Sequence, residues 1–255
     1  MIHDGYIDTA PSAQNAVDIF RDLWVGALPA SLAVKAGPLD LSNDARIRWL
    51  LARVAVEGKA VLEFGPMEAS HTAMLHAAGA QSVTAIEASK LAFMKCLVVK
   101  ELLDLPRAHF LHGDFRPWLA SDTRRWDLVV ASGVLYHLAD PVWFLERVAE
   151  RTDTLFLWTH FCDDGAMPKG DPRRRPILRT RTQMWRGHRL TLGERSYREA
   201  SKLKTFCGGV HSDHAWLYRD SLMCVLQELG FSSIETAFDE PKHVNGPSAC
   251  FLARR

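Results

Sequence analysis

Between residues 60 and 160 short apolar strands alternate with helices, and this rhythm constrains the fold more tightly than any other feature of the chain. AVLEF (60–64) reads as a strand ending at Gly65-Pro66, and Ser70 to Ala78 as a helix closed by Gly79. SVTAIE (82–87) is a second strand, followed by a helix from Ser89 to about Leu103. AHFLH (108–112) and WDLVVAS (126–132) are the third and fourth strands. A helix opens at Asp140-Pro141, with proline in its favoured early position, and runs to about Arg151; TLFLWTH (154–160) is the fifth strand. Strands separated by helices are joined by crossovers and therefore run parallel. These strands are apolar enough to be covered on both faces. Right-handed crossovers then give a doubly wound sheet, whose ligands bind beyond the carboxyl ends of the strands at the switch point.

The flanks read differently. Residues 12–58 read as helical: Ala13, Val17, Phe20 and Trp24 keep helical spacing behind a candidate N-cap, Ser12. A second helix, Ser42 to Val56, carries Ile47, Leu50, Leu51 and Val54 on one face. Regular periodicity lapses from about Phe161 to His214, where Arg173, Arg174, Arg175, Arg179, Arg181, Arg186, Arg189, Arg195 and Arg198 gather. It resumes with a helix at Arg219 to Leu229 and two strands, SSIETAF (232–238) and SACFLAR (248–254). With no helix between them, these two suit an antiparallel pair at the sheet edge. The expected organisation is an N-terminal helical segment, 1–58, packing on a core, 59–255, that carries an insertion, 161–214.

Composition excludes several alternatives. A formal net charge of +1 provides no global field to draw nucleic acid or an anionic membrane. Cys96, Cys162, Cys207, Cys224 and Cys250 are scattered and form no CxxC pair, so neither a disulfide framework nor a zinc ribbon is expected. His160, Cys162, His211 and His214 are a candidate metal set, but no compact ligand spacing supports it and no metal is expected. The N-terminal stretch has early acids and no apolar core of a signal peptide, and no apolar run approaches membrane-spanning length. A soluble, cytoplasmic protein is the expectation.

The segment VLEFGPMEASHTAMLHAAGAQSVTAIEAS resembles the S-adenosylmethionine (SAM) binding core of class I methyltransferases. That family has an acid ending the first strand, a glycine-rich turn, and an acid ending the second strand. The resemblance covers residues 60–160 most strongly. It implies a Rossmann-like, doubly wound, seven-stranded, mostly parallel sheet with an antiparallel last strand. In this reading Glu63 organises the turn and reaches the methionine end of SAM, and Gly65 lets the backbone pass close to the ligand. Pro66, Met67 and Ala69 complete the turn, with Met67 and Ala69 where the family often has further glycines. Glu87, with Ala88 beside it, would accept the ribose hydroxyls. Asp114 in HGDF matches the acid that reads the adenine amino group, Phe115 would stack on the ring, and Ser132 and Gly133 would pass beneath the cofactor. The lack of GxGxxG argues against NAD or FAD, and SAM has no phosphate for such a nest of amides to hold.

Methyl transfer from a sulfonium needs alignment, and an oxygen acceptor also needs a base. His137, after the fourth strand, is either that base or the cap of the turn before Pro141; Tyr136 beside it would orient the acceptor. His160 either faces the same crevice or is a hydrogen-bonded strand-end histidine, and His214 would fold over the site from the insertion. The insertion is either a solvated lid or a clamp for an anionic acceptor, with Trp185, Tyr197 and Trp216 suited to a sugar or nucleotide ring. Gln14, Asn15, Phe20 and Trp24 either form an opposite wall or pack in the core.

GVLYHLADP and HVNGPSACFLARR also resemble a bacterial methyltransferase group acting on glycans and small molecules, and share a GVLYH-like motif with tRNA wobble-uridine modifying enzymes. The resemblance implies SAM as methyl donor, leaving S-adenosylhomocysteine (SAH), and a small-molecule or glycan acceptor methylated at oxygen. Two alternatives stand beside it: a tRNA wobble-uridine enzyme, disfavoured by the near-zero net charge, and a SAM-binding scaffold without transfer activity.

Overall fold

The computed structural model describes residues 5–198 and 207–255. Its main sheet has seven strands: β1 (Ala60–Phe64), β2 (Ser82–Glu87), β3 (Ala108–His112), β4 (Leu128–Ser132), β5 (Thr154–His160), β9 (Ser233–Glu240) and β10 (Ser248–Arg254). The strand order is β3-β2-β1-β4-β5-β10-β9. The first five strands are parallel, and β10 runs antiparallel to both β5 and β9. The doubly wound fold expected from the sequence is therefore observed, with the chain reversing its direction of travel between β1 and β4.

Alternate residues of each strand enter opposite cores, as the period of two requires. Leu62, Val129, Ala131, Leu155 and Leu157 face one core, shared with α6 (Pro141–Ala149) and α7 (Arg219–Glu228). Val61, Leu128, Val130 and Phe156 face the other, which includes Ile47 and Leu50 of α2 (Ala45–Leu51) and Leu75 of α3 (Ser70–Ala77). A smaller cluster joins Val17 of α1 (Ala13–Asp18) to Cys96 and Val99 of α4 (Lys90–Leu102). Strand β3 departs from the expected two-sided cover, since four of its five residues are at least partly exposed at the sheet edge. A helix not foreseen, α5 (Phe115–Ser121), follows β3 and is N-capped by the Asp114 side chain.

Two expectations need correction. The N-terminal segment is less helical than its spacing suggests: α1 ends at Asp18 and α2 at Leu51, with mostly non-helical chain between. The intervening backbone finds other partners, including Gly26–Leu39 pairing and the Glu68 side chain. The insertion is also not irregular where described, although residues 199–206 of it lie outside the described residues. Strands β6 (Ile177–Trp185), β7 (His188–Ser196) and β8 (Asp213–Leu217) form a three-stranded antiparallel sheet. Its tight turn is Arg186-Gly187, with φ values of 48° and 82°, the double left-handed geometry of a two-residue hairpin. Leu190, Leu192, Ala215 and Leu217 anchor this sheet in the same core as α6 and α7.

Candidate active site

The turn after β1 is built from backbone conformations that favour glycine. Gly65, Met67 and Ala69 have φ of 65°, 55° and 60°, so two side-chain-bearing residues occupy the left-handed region. The Gly65 amide donates to the Ile86 carbonyl at 3.0 Å, and the Ala69 amide to the Pro66 carbonyl at 2.8 Å. Glu87, ending β2, accepts from the Met67 amide at 3.1 Å and from the Ser89 amide, just beyond Ala88, at 2.8 Å. Glu63, ending β1, accepts from the Thr72 hydroxyl of α3. Burial raises the pKa of both carboxyl groups, and Glu87 adds to the effect on Glu63.

Two neighbouring buried carboxyl groups at the carboxyl ends of adjacent strands suit a cationic ligand, whose charge would favour their ionised forms. SAM fits, because it carries both an ammonium and a sulfonium. After β4 a glycine again opens the turn. Ser132 ends the strand, Gly133 has φ of 84°, and a Cβ there would lie 3.4 Å from Trp158 and 3.6 Å from the Tyr136 hydroxyl.

Two residues expected at the adenine have other work in this structure. Asp114 caps α5 and binds the Arg116 guanidinium through both carboxylate oxygens; burial opposes ionisation, but Arg116 prevails and holds the pKa below its ordinary value. Phe115 packs 4.9 Å from Phe64 and 5.4 Å from Phe144 in the core, so its ring is not an open stacking surface.

Beyond the end of β4, aromatic and imidazole rings gather. The Tyr136 ring lies 4.7 Å from His160 and 6.1 Å from Trp216, and His160 stacks on Trp216 at 5.1 Å. Trp216 belongs to β8 and donates its indole N–H to the Tyr136 carbonyl at 3.0 Å. His137 Nδ1 meets the Tyr197 hydroxyl, and the Tyr197 ring stacks on His214 at 4.2 Å. Tyr136, His137, His160 and His214 are thus brought together, joined by Tyr197 and Trp216. Trp185 is not: it donates to Glu146 of α6. Neither is His211, which is exposed. Gln14 exchanges hydrogen bonds with the Lys35 backbone at 3.1 and 2.8 Å, Asn15 bonds to the Ala10 carbonyl, and Phe20 and Trp24 pack in the N-terminal cluster. Among the described residues no group of three His, Cys, Asp or Glu side chains is arranged to hold a metal ion.

The histidines are tuned to stay neutral. Burial, reinforced by His214, His160 and Arg195, pushes His137 down to about 3. Burial pushes His160 down to about 4 despite the Gly246 carbonyl, and His214 is also lowered by burial. His160 Nδ1 donates to the Gly246 carbonyl at 2.9 Å, which leaves Nε2 as the acceptor nitrogen of the neutral ring. The Gly209 amide donates to the Tyr197 hydroxyl at 3.2 Å, and that hydroxyl's own proton suits His137 Nδ1.

The structure of the N-terminal domain of EvdMO1 with SAH bound matches with a TM-score of 0.69 at 19% identity, covering 95% of this chain and 94% of that one. The chain has the class I methyltransferase fold. A second match sharing it is magnesium protoporphyrin IX methyltransferase from Synechocystis, also with bound SAH, at a TM-score of 0.54 and 18% identity over 83% of this chain and 81% of that one. By sequence, a tRNA U34 carboxymethyltransferase of Idiomarina loihiensis is 30% identical over 149 residues, 53% of this chain and 46% of that protein. The match therefore spans less than half the length of that relative. No family model matches the chain.

Beside the turn a buried ion pair joins the methyltransferase fold to the N-terminal segment. Glu68 pairs with Lys95 of α4 at 2.7 Å, with side chains 2% and 5% exposed. The same carboxylate accepts from the Val25 and Gly26 amides at 2.9 and 2.7 Å, tying the N-terminal segment to the turn. Only the acid inside the turn hinted at this, because its partners lie 27 and more than 40 positions away.

Proposed function

We propose that the chain is a SAM-dependent methyltransferase acting on a small-molecule or glycan acceptor at oxygen. The observation that carries this reading is the continuity of the two halves. Glu87 holds the left-handed turn that Glu63 precedes, a Cβ added at Gly65 of that turn would lie 3.1 Å from Val134 beyond β4, and the His137–His160–Tyr136 cluster begins two residues after Val134. When bound, SAM supplies a methyl group for in-line displacement at its sulfonium carbon. His160 Nε2 takes the acceptor's hydroxyl proton as the new C–O bond forms, Tyr136 orients the acceptor, and the sheet β6–β8 covers the site as a lid. That EvdMO1's N-terminal domain has also been crystallised in the presence of SAH and D-fucose supports a sugar-bearing acceptor.

A wobble-uridine tRNA substrate is the second reading, favoured by the match to the Idiomarina enzyme. The arginines of the insertion give it little help. Arg173 pairs with Asp171, Arg174 with Asp164, Arg179 and Arg181 with Glu194, and Arg186 with Glu146. Incubation with methyl-labelled SAM and separate pools of glycosides, small acids and unmodified tRNA tests both readings. Label in the first two pools with SAH released in equal amount is expected. Label in tRNA alone would replace the first reading by the second, and no SAH with any pool would leave a SAM-binding scaffold.

A further inference from the structure

Arg195 on β7 stands out among the arginines of the insertion. Its guanidinium carbon lies 3.7 Å above the Trp216 ring, and its Nε and Nη1 are enclosed without a hydrogen-bond partner. Among the described residues no carboxylate pairs with it, whereas Arg173, Arg174, Arg179, Arg181 and Arg186 all have acidic partners. Its electrostatic neighbours are His137, His160, His214, Cys162 and Tyr197, all neutral in their ordinary forms at neutral pH. Stacking on one indole face compensates part of the desolvation of a guanidinium, but it satisfies no N–H donor. A half-buried cation with unmade bonds, set among neutral rings, lacks an anion.

We propose that Arg195 is the anchor for a carboxylate on the acceptor, so that the substrate class is a small acidic molecule or acidic sugar. The inference rests on the methyltransferase reading for the word acceptor, though not for the anion site itself. Ring contacts lead from Tyr136, four residues beyond the end of β4, to the anchor: Tyr136 to His160, His160 to Trp216, Trp216 to Arg195. A carboxylate is favoured over a phosphate dianion because one guanidinium balances one negative charge and the surrounding histidines are neutral. The anchor also affects the base. Arg195 helps to hold the imidazoles of His137 and His160 unprotonated, so a seated carboxylate would offset that charge and make His160 a stronger base once the acceptor is in place.

The test uses the full chain saturated with SAH and three probes of similar shape: benzoate, benzamide and phenyl phosphate, each titrated by calorimetry at millimolar concentration. Benzoate is expected to bind at least tenfold more tightly than benzamide and than phenyl phosphate. Arg195→Met, which keeps the packing on Trp216 but not the charge, is expected to lose about tenfold or more of the benzoate affinity. Thermal melting separates this from misfolding. Removal of an uncompensated buried cation leaves the melting temperature of the ligand-free protein unchanged or higher, and Arg195→Lys serves as a second, charge-retaining variant with partial benzoate binding. Equal binding of benzoate and benzamide, or benzoate binding untouched in a folded Arg195→Met, would overturn the proposal. Tighter binding of phenyl phosphate than benzoate would overturn the carboxylate assignment. SAH is titrated alone first, and failure of that step would count against the methyltransferase reading and not against the anion site.

Discussion

At the scale of single residues, the turn after β1 carries strain that its sequence discloses only in part. Met67 and Ala69 stand where glycine is expected, and the backbone takes the left-handed conformation all the same. Such a conformation costs a residue with a Cβ about 1–2 kcal/mol. Met67→Gly is therefore expected to exceed Met67→Ala in stability by about 1 kcal/mol, read by denaturant unfolding; equal stabilities would mean that the turn is unstrained. The histidines give a second prediction. Burial pushes His160 down to about 4 in the folded chain from an ordinary 6.5, so between those values the unfolded chain binds the extra proton. Stability must then fall as pH drops through that window and recover as it rises. His137, lowered to about 3, adds in the same sense. Melting temperatures from pH 7 to 4.5 should fall less steeply in His137→Gln/His160→Gln than in the parent; parallel curves would show that these rings are not buried as described. Glu63, Gly65, Glu87 and Gly133 were legible because each ends a strand or opens a turn at a fixed offset. Arg195 stood in the sequence as one arginine among nine, with its burial set by β8 laid across it.

At the scale of elements, the parallel strands were legible because all but β3 are largely apolar on both faces and they are bounded by turn residues. The three-stranded sheet was not. Strand β6 is largely exposed and carries arginines and threonines, so no hydrophobic alternation marks it. The signal present was the Arg186-Gly187 pair beside the alternating Leu190 and Leu192. The N-terminal helices were overestimated because spacing alone does not say where the backbone finds other partners. One such partner is Glu68. Glu68→Gln would leave Lys95 buried without its counter-charge, at a cost of about 3–5 kcal/mol. Adding Lys95→Met should restore part of that loss, since an apolar pair replaces an orphaned ion. Denaturant unfolding of the two variants checks this, and a single variant as stable as the parent would show that the pair does not hold the N-terminal segment to the turn.

At the scale of the whole molecule, the sheet brings the turn after β1 and the ring cluster to the carboxyl ends of its parallel strands. The small sheet β6–β8 is rooted in the main core through Leu190, Leu192 and Leu217, so Trp216 and Arg195 are held beside His160 by packing. No described helix is long and apolar enough to cross a membrane. The acceptor's chemistry was the least legible part of the sequence, because it depends on which side chains from β5, β7 and β8 converge. The central claim is that buried carboxyl groups at the ends of β1 and β2 receive SAM. Calorimetric titration of the purified chain and of Glu87→Ala with SAH and SAM, with NAD as control, tests it most directly. One site per chain with micromolar affinity for both ligands and none for NAD is expected, weakened about tenfold or more in Glu87→Ala. SAM binding should also weaken as pH falls and the two carboxyl groups, their pKa values already raised by burial, become protonated. No binding by the folded parent, or binding that the folded Glu87→Ala leaves unchanged, would contradict it.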